Sequence, residues 1–202
     1  MATRAVFVCA HGAGGHMGDH SMERVAKALA PRGIEVVRFN FPYRAQGSKR
    51  PDPMPVLQKC IREAADNARK PGVPLLIGGR SMGGRAASML AADGFACDGV
   101  LLLAYPLHPA GQPQKLRTEH WPRIQAPVLC INGTRDALCD LDLMNEALKG
   151  VHWRMHWLEA ADHSFKVLKS SGRTEAEVDA EVGDAVASWL ERITSGSRRA
   201  SA

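Results

Sequence analysis

No apolar run in this 202-residue chain approaches the roughly 20 residues needed to cross a bilayer, so no membrane-spanning segment is expected. Cysteine is scarce and scattered. The five cysteines (Cys9, Cys60, Cys97, Cys130, Cys139) are odd in number and include no C-x-x-C pair, which argues against a disulfide framework or a zinc knuckle and fits a reducing compartment. Aromatic residues are only 5%, and several of the basic residues sit in two short stretches, Arg44 to Arg50 and Ser197-Arg198-Arg199, rather than in a long stripe interleaved with aromatics. The net charge of +5 therefore carries no expectation of nucleic-acid binding. Neither G-x-G-x-x-G nor G-x-x-x-x-G-K-[ST] occurs, which discounts a nucleotide site. His16 and His20 stand four apart, but H-E-x-x-H is absent, and no metal or organic cofactor is expected. The chain reaches His11-Gly12 too early for a secretory apolar region. A soluble, cytoplasmic protein is expected.

What is present describes a packed domain. Hydrophobic residues at 45% and charged residues at 23% match ordinary globular proteins, and the length suits one domain over 1–195 followed by a flexible basic tail at 196–202. Short apolar runs at Ala5 to Ala10, Ile34 to Phe41, Val73 to Gly78, Val100 to Ala104 and Val128 to Asn132 read as buried strands. Trp153, Met155 and Trp157 alternate with His152, Arg154 and His156 as a sixth strand with two unlike faces. Helical spacing links Met22, Val25, Ala26 and Leu29, then Leu57 to Ala68, Ala86 to Ala92 and Asp140 to Leu148. A last helix opens on the capping box Thr174-x-x-Glu177 and carries Val178, Val182, Val186, Trp189 and Leu190 on one stripe. Six strands alternating with about five helices predict a three-layer α/β/α sandwich around a mostly parallel sheet. In such a sheet, chemistry belongs just beyond the carboxyl ends of the strands.

Four strand ends carry candidate residues. Gly79-Arg80-Ser81-Met82-Gly83 is a G-x-S-x-G between a strand and a helix. That pattern arises by chance in roughly one chain in fifteen, but this context is what a nucleophile elbow requires, because glycines let the helix pack close to the strand while Ser81 projects above the sheet. Asp136 follows the strand ending at Asn132 and can orient a histidine; His163 lies in the loop before the last helix. Ser81, Asp136 and His163, in that order after successive strands, form the series of one particular triad architecture. His11-Gly12-Ala13-Gly14-Gly15 follows the first strand. Acyl transfer needs two preorganised N–H donors for the developing oxyanion, and the amides of Met82 and Ala13, with Gly14 beside it, are the candidates.

With these residues the chain resembles the α/β-hydrolase superfamily, in its minimal form without a large cap, and within it the short, dienelactone-hydrolase-like members. It departs from dienelactone hydrolase in having Ser81 where that enzyme uses cysteine. Tyr105-Pro106-Leu107-His108-Pro109 and Lys115-Leu116-Arg117-Thr118-Glu119-His120 are also similar to a hydrolase-like family that includes a testis-expressed protein and a histone-acetyltransferase subunit. The chain opens directly on the strand before the oxyanion loop, so the antiparallel N-terminal strands of larger relatives are expected to be missing. The expected activity is that of a serine hydrolase, a carboxylesterase, on a small-molecule ester. Only about two dozen residues separate Ala104 from Val128, too few for a large helical cap, so short-chain or polar esters are expected. Candidate substrate contacts are His11, Gly12, Tyr43, Arg44 and Arg80, with Arg85 one turn into the elbow helix. An acyltransferase or peptidase would use the same triad, and a non-catalytic interaction module would keep only the fold. No protein partner is named by these residues.

Overall fold

The computed structural model describes residues 2–200, with backbone alone for 196–200; the tail expected at 196–202 lies outside the fully described residues. Six strands, β1 (Ala5–Ala10), β2 (Ile34–Arg38), β3 (Leu75–Arg80), β4 (Gly99–Leu103), β5 (Val128–Gly133) and β6 (Arg154–Leu158), form one sheet in the order β2-β1-β3-β4-β5-β6. All five pairings are parallel. The helices are α1 (His20–Leu29), α2 (Pro42–Ala45), α3 (Met54–Ala68), α4 (Met82–Ala92), α5 (Leu141–Leu148) and α6 (Glu175–Ala200). Among the described residues, no helix is long and apolar enough to cross a membrane.

Side chains alternate across the pleat, and both faces of the sheet are covered. From β1, Val6, Val8 and Ala10 join Leu57 and Ile61 of α3 and Leu90 of α4 in one layer of the core. Ala5, Phe7 and Cys9 point the other way, onto Met22, Val25 and Leu29 of α1 and Val182, Val186 and Trp189 of α6. The capping box forms as expected: Glu177 N–H donates to Thr174 Oγ1 at 3.2 Å, and Thr174 N–H donates to Glu177 Oε2 at 2.7 Å. Asp140 caps α5 by accepting from Leu143 N–H. Trp121 is buried, and Trp153 lies against it with ring centroids 4.0 Å apart.

Several boundaries differ from the sequence reading, the larger ones around the site. The second strand ends at Arg38 rather than Phe41, because Phe41 N–H leaves the ladder for the ring of His11. The chain then makes the unexpected short helix α2, with Pro42 at its first position, where the missing N–H costs nothing. The third strand starts later, at Leu75, and runs on through Arg80, which pairs with Leu103. Helix α4 begins at Met82, four residues before the periodicity suggested, with two glycines in its first turn. Those glycines are a packing requirement: a Cβ on Gly83 would lie 2.5 Å from Ala10 O and 2.6 Å from His11 O.

Replacing Gly83 by alanine should therefore force α4 away from the end of β1. We expect Gly83→Ala to lower unfolding stability by about 1–3 kcal/mol, read as a shift in the urea midpoint, although alanine is the better helix former.

Candidate active site

Three loops meet at the carboxyl ends of β3, β5 and β6. Ser81 is held between β3 and α4 at φ 48°, ψ −116°, with its N–H donating to Leu103 O at 2.9 Å and its C=O accepting from Arg85 N–H. His163 Nε2 lies 3.0 Å from Ser81 Oγ, and His163 Nδ1 lies 2.8 Å and 2.9 Å from the two oxygens of Asp136. Both contacts are satisfied at once when Nδ1–H donates to the carboxylate and Nε2 accepts from the Ser81 hydroxyl. The Asp136 side chain is fully buried and that of His163 is 29% exposed, so the line of hydrogen bonds runs from the interior to the solvent edge.

The groups behind this line were not visible in the sequence. Asn132, wholly buried at the end of β5, donates Nδ2–H to Asp136 Oδ2 (3.1 Å) and to Tyr105 O (3.0 Å) and accepts from Tyr105 N–H. Leu138 N–H donates to Asp136 Oδ1 at 2.8 Å. Asp162 folds the His163 loop by accepting from Ser164 N–H and Lys166 N–H through Oδ1.

The candidate oxyanion loop lies against Ser81, since a Cβ on Gly12 would come 3.6 Å from Ser81 Cβ. Gly14 N–H donates to Tyr43 Oη at 3.2 Å, so this amide is engaged within the protein. Among the described residues, Ala13 N–H has no protein acceptor. Met82 N–H, at the first position of α4, has neither an intrahelical partner nor a side-chain cap.

The expected substrate contacts divide. His11 is completely buried, its Nδ1–H donating to Gly12 O (2.8 Å) and its Nε2 accepting from Phe41 N–H (3.2 Å). Burial lowers its pKa, and it serves the loop rather than a ligand. Tyr43 is also buried, with its hydroxyl spent on Gly14. Arg80 is 7% exposed and braces the histidine loop: it donates Nη2–H to His163 O at 2.7 Å and lies over the Phe165 ring. These three expectations are corrected for one reason, that their polar groups point into the protein. Arg44 is half-buried and donates to Ser48 O. Cavities of about 520 Å³ between β2 and α3 and about 450 Å³ beside the end of α6 lie away from Ser81, which is itself part-exposed.

Residues 3–191 match the model of the alpha/beta hydrolase domain family. The chain belongs to that family. It is similar to a dienelactone hydrolase from Anabaena variabilis (21% identity, 95% of this chain and 87% of that one, TM-score 0.69). It is likewise similar to an α/β serine hydrolase without a lid from Xanthomonas campestris (22%, 94% and 84%, TM-score 0.70). A monoacylglycerol lipase from Paleococcus ferrophilus aligns over 96% of both chains at 17% identity and TM-score 0.73. At these identities the likeness is one of fold, shared with hydrolases.

His120 is 6% exposed and bonded at 2.8 Å to Ser88 Oγ, about two turns along α4 from Ser81. Burial, reinforced by the charge of Arg85, pushes its pKa down from 6.5 to about 4. Neutral His120 therefore contributes stability that is complete above about pH 6.5 and is lost as the pH falls toward 4, because the unfolded chain takes up the proton first. Between pH 7 and pH 4.5, wild-type protein should lose on the order of 2 kcal/mol more stability than His120→Gln, measured by urea unfolding at each pH.

Proposed function

We propose that the protein is a serine hydrolase, a carboxylesterase acting on short-chain or polar esters. The reading is carried by one observation: a continuous hydrogen-bonded line from Ser81 Oγ through His163 to buried Asp136, placed on a strained turn beside two uncommitted amides. His163 Nε2 takes the Ser81 proton as Oγ attacks the ester carbonyl, and Asp136 keeps the proton on Nδ1 so that Nε2 is free to act as base. The carbonyl oxygen, now carrying the negative charge, receives Ala13 N–H and Met82 N–H. His163 then gives the proton to the leaving alcohol. Water, deprotonated by the same nitrogen, releases the acid from Ser81 and restores the hydroxyl. A cytoplasmic setting is part of this reading, supported by the five free cysteines, three of them buried.

A fluorophosphonate probe should label the folded wild-type protein and fail on Ser81→Ala and His163→Ala. With 4-nitrophenyl acetate, Ser81→Ala should lose on the order of 10⁴-fold or more in kcat, and Asp136→Asn about 10⁴-fold. Absence of labelling in folded wild-type protein would overturn the enzyme reading in favour of an interaction module.

Tyr43 tests the loop separately. Removing one neutral hydrogen bond is worth about 1 kcal/mol, so Tyr43→Phe should lower kcat about fivefold with KM little changed. An unchanged kcat would remove Tyr43 from the support of the oxyanion site.

A further inference from the structure

Asn132, next to last in β5, has no part in the mechanism above, yet it is wholly buried and every hydrogen-bonding position of its amide is used. Its Oδ1 accepts from Tyr105 N–H at 3.0 Å and from the Cys130 thiol at 3.3 Å. Its Nδ2 donates to Tyr105 O at 3.0 Å and to Asp136 Oδ2 at 3.1 Å. The two bonds to the Tyr105 backbone fix which end of the amide is which, because the Tyr105 N–H can meet only the oxygen and the Tyr105 C=O only the nitrogen. The remaining N–H is therefore committed to the Asp136 carboxylate. Turning it away would leave Tyr105 N–H unpaired in the interior.

A carboxylate taken out of water needs donors, and the Asp136 side chain is fully buried. Three reach it: His163 Nδ1–H, shared between both oxygens, Leu138 N–H on Oδ1 and Asn132 Nδ2–H on Oδ2. One of these is backbone, so among the described residues Asn132 and His163 are the side chains that hold the acid. They draw on the same charge. Each donor to a carboxylate lowers its affinity for a proton, and with it the grip of the carboxylate on an imidazolium at Nδ1. The other titratable groups around the acid are Arg80 from β3, Cys130 from β5, Cys139 and Asp140 from the turn that follows, Asp162 from the histidine loop and His108 from the turn after β4. Burial keeps both thiols protonated. Arg80 is spent on His163 O, Asp140 on Leu143 N–H, Asp162 on the amides of its own loop and His108 on Asp140 N–H. The contact that can tune the acid is the one from Asn132.

We propose that Asn132 is a positioning residue of the Ser81 site: its amide aims Asp136 at His163 and, by sharing the charge of the carboxylate, sets the pH below which His163 takes up a proton and stops acting as a base. This rests on the hydrolase reading for the reaction, but the hydrogen bonds it concerns are present without substrate. Two variants test it. Asn132→Asp keeps the shape and the acceptor for Tyr105 N–H while replacing the donor by a second carboxyl beside Asp136, and Asn132→Leu removes the amide. The acid limb of kcat/KM on 4-nitrophenyl acetate should move to higher pH in both, by about half a unit in Asn132→Leu and about one unit or more in Asn132→Asp. The His163 ring, titrated by NMR without substrate, should move by the same amounts. Tyr105→Phe is the control for damage to the neighbouring loop: deprived of the bonds to Arg117 O and from Trp121 Nε1–H, it should unfold at lower urea and leave both midpoints in place. In the wild-type protein, the side-chain amide protons of Asn132 should shift with the same midpoint as the His163 ring. Midpoints unmoved in a folded position-132 variant, midpoints moved equally by Tyr105→Phe, or a wild-type amide signal that ignores His163 overturn the positioning role. Titrations that move as stated in a protein that hydrolyses no ester support the positioning role and overturn the hydrolase reading alone.

Discussion

The backbone of Ser81 sits at φ 48°, a conformation that costs an L residue of this kind about 1–3 kcal/mol, and the rest of the site is built on keeping it there. Strand β4 holds the residue from one side through the hydrogen bond to Leu103 O, and α4 holds it from the other through Arg85 N–H. The helix can start immediately after Ser81 only because Gly83 and Gly84 let its first turn touch the backbones of β1 and β3, with a Cβ at Gly84 coming 2.7 Å from Gly79 O. The same tight turn leaves Met82 N–H unbonded at the helix start. One constraint thus exposes the hydroxyl and aims a donor beside it.

The other partners reach Ser81 from separate parts of the chain, and each is fixed by buried polar contacts rather than by the sheet alone. Asn132 ties Asp136 to the turn after β4, where Ala104 is itself at φ 52°, so the acid and the Tyr105 loop are set by one amide side chain. Arg80 ties the histidine loop to the residue preceding the serine. His11 and Tyr43 do the same for the glycine loop. A satisfied buried network of this kind resists rearrangement, because breaking one member strands the others away from water. Catalysis by preorganised dipoles depends on that stiffness.

The sheet was readable because both of its faces are buried: the apolar runs of β1, β4 and β5 are continuous, and turn residues bound them. Ser81, Asp136 and His163 were readable because the order of the strands makes their places in the chain informative. Boundaries failed where tertiary contact overrode local preference, as at Phe41, drawn off the ladder by His11, and at Gly83, placed in a helix for want of space. The roles of Arg80, His11 and Tyr43 were misread for a different reason. Proximity in sequence to Ser81 or to the glycine loop says that a polar side chain is near the site but not which way it points, and all three turn inward. Asn132 and Asp162 gave no signal, since their value lies only in what they contact.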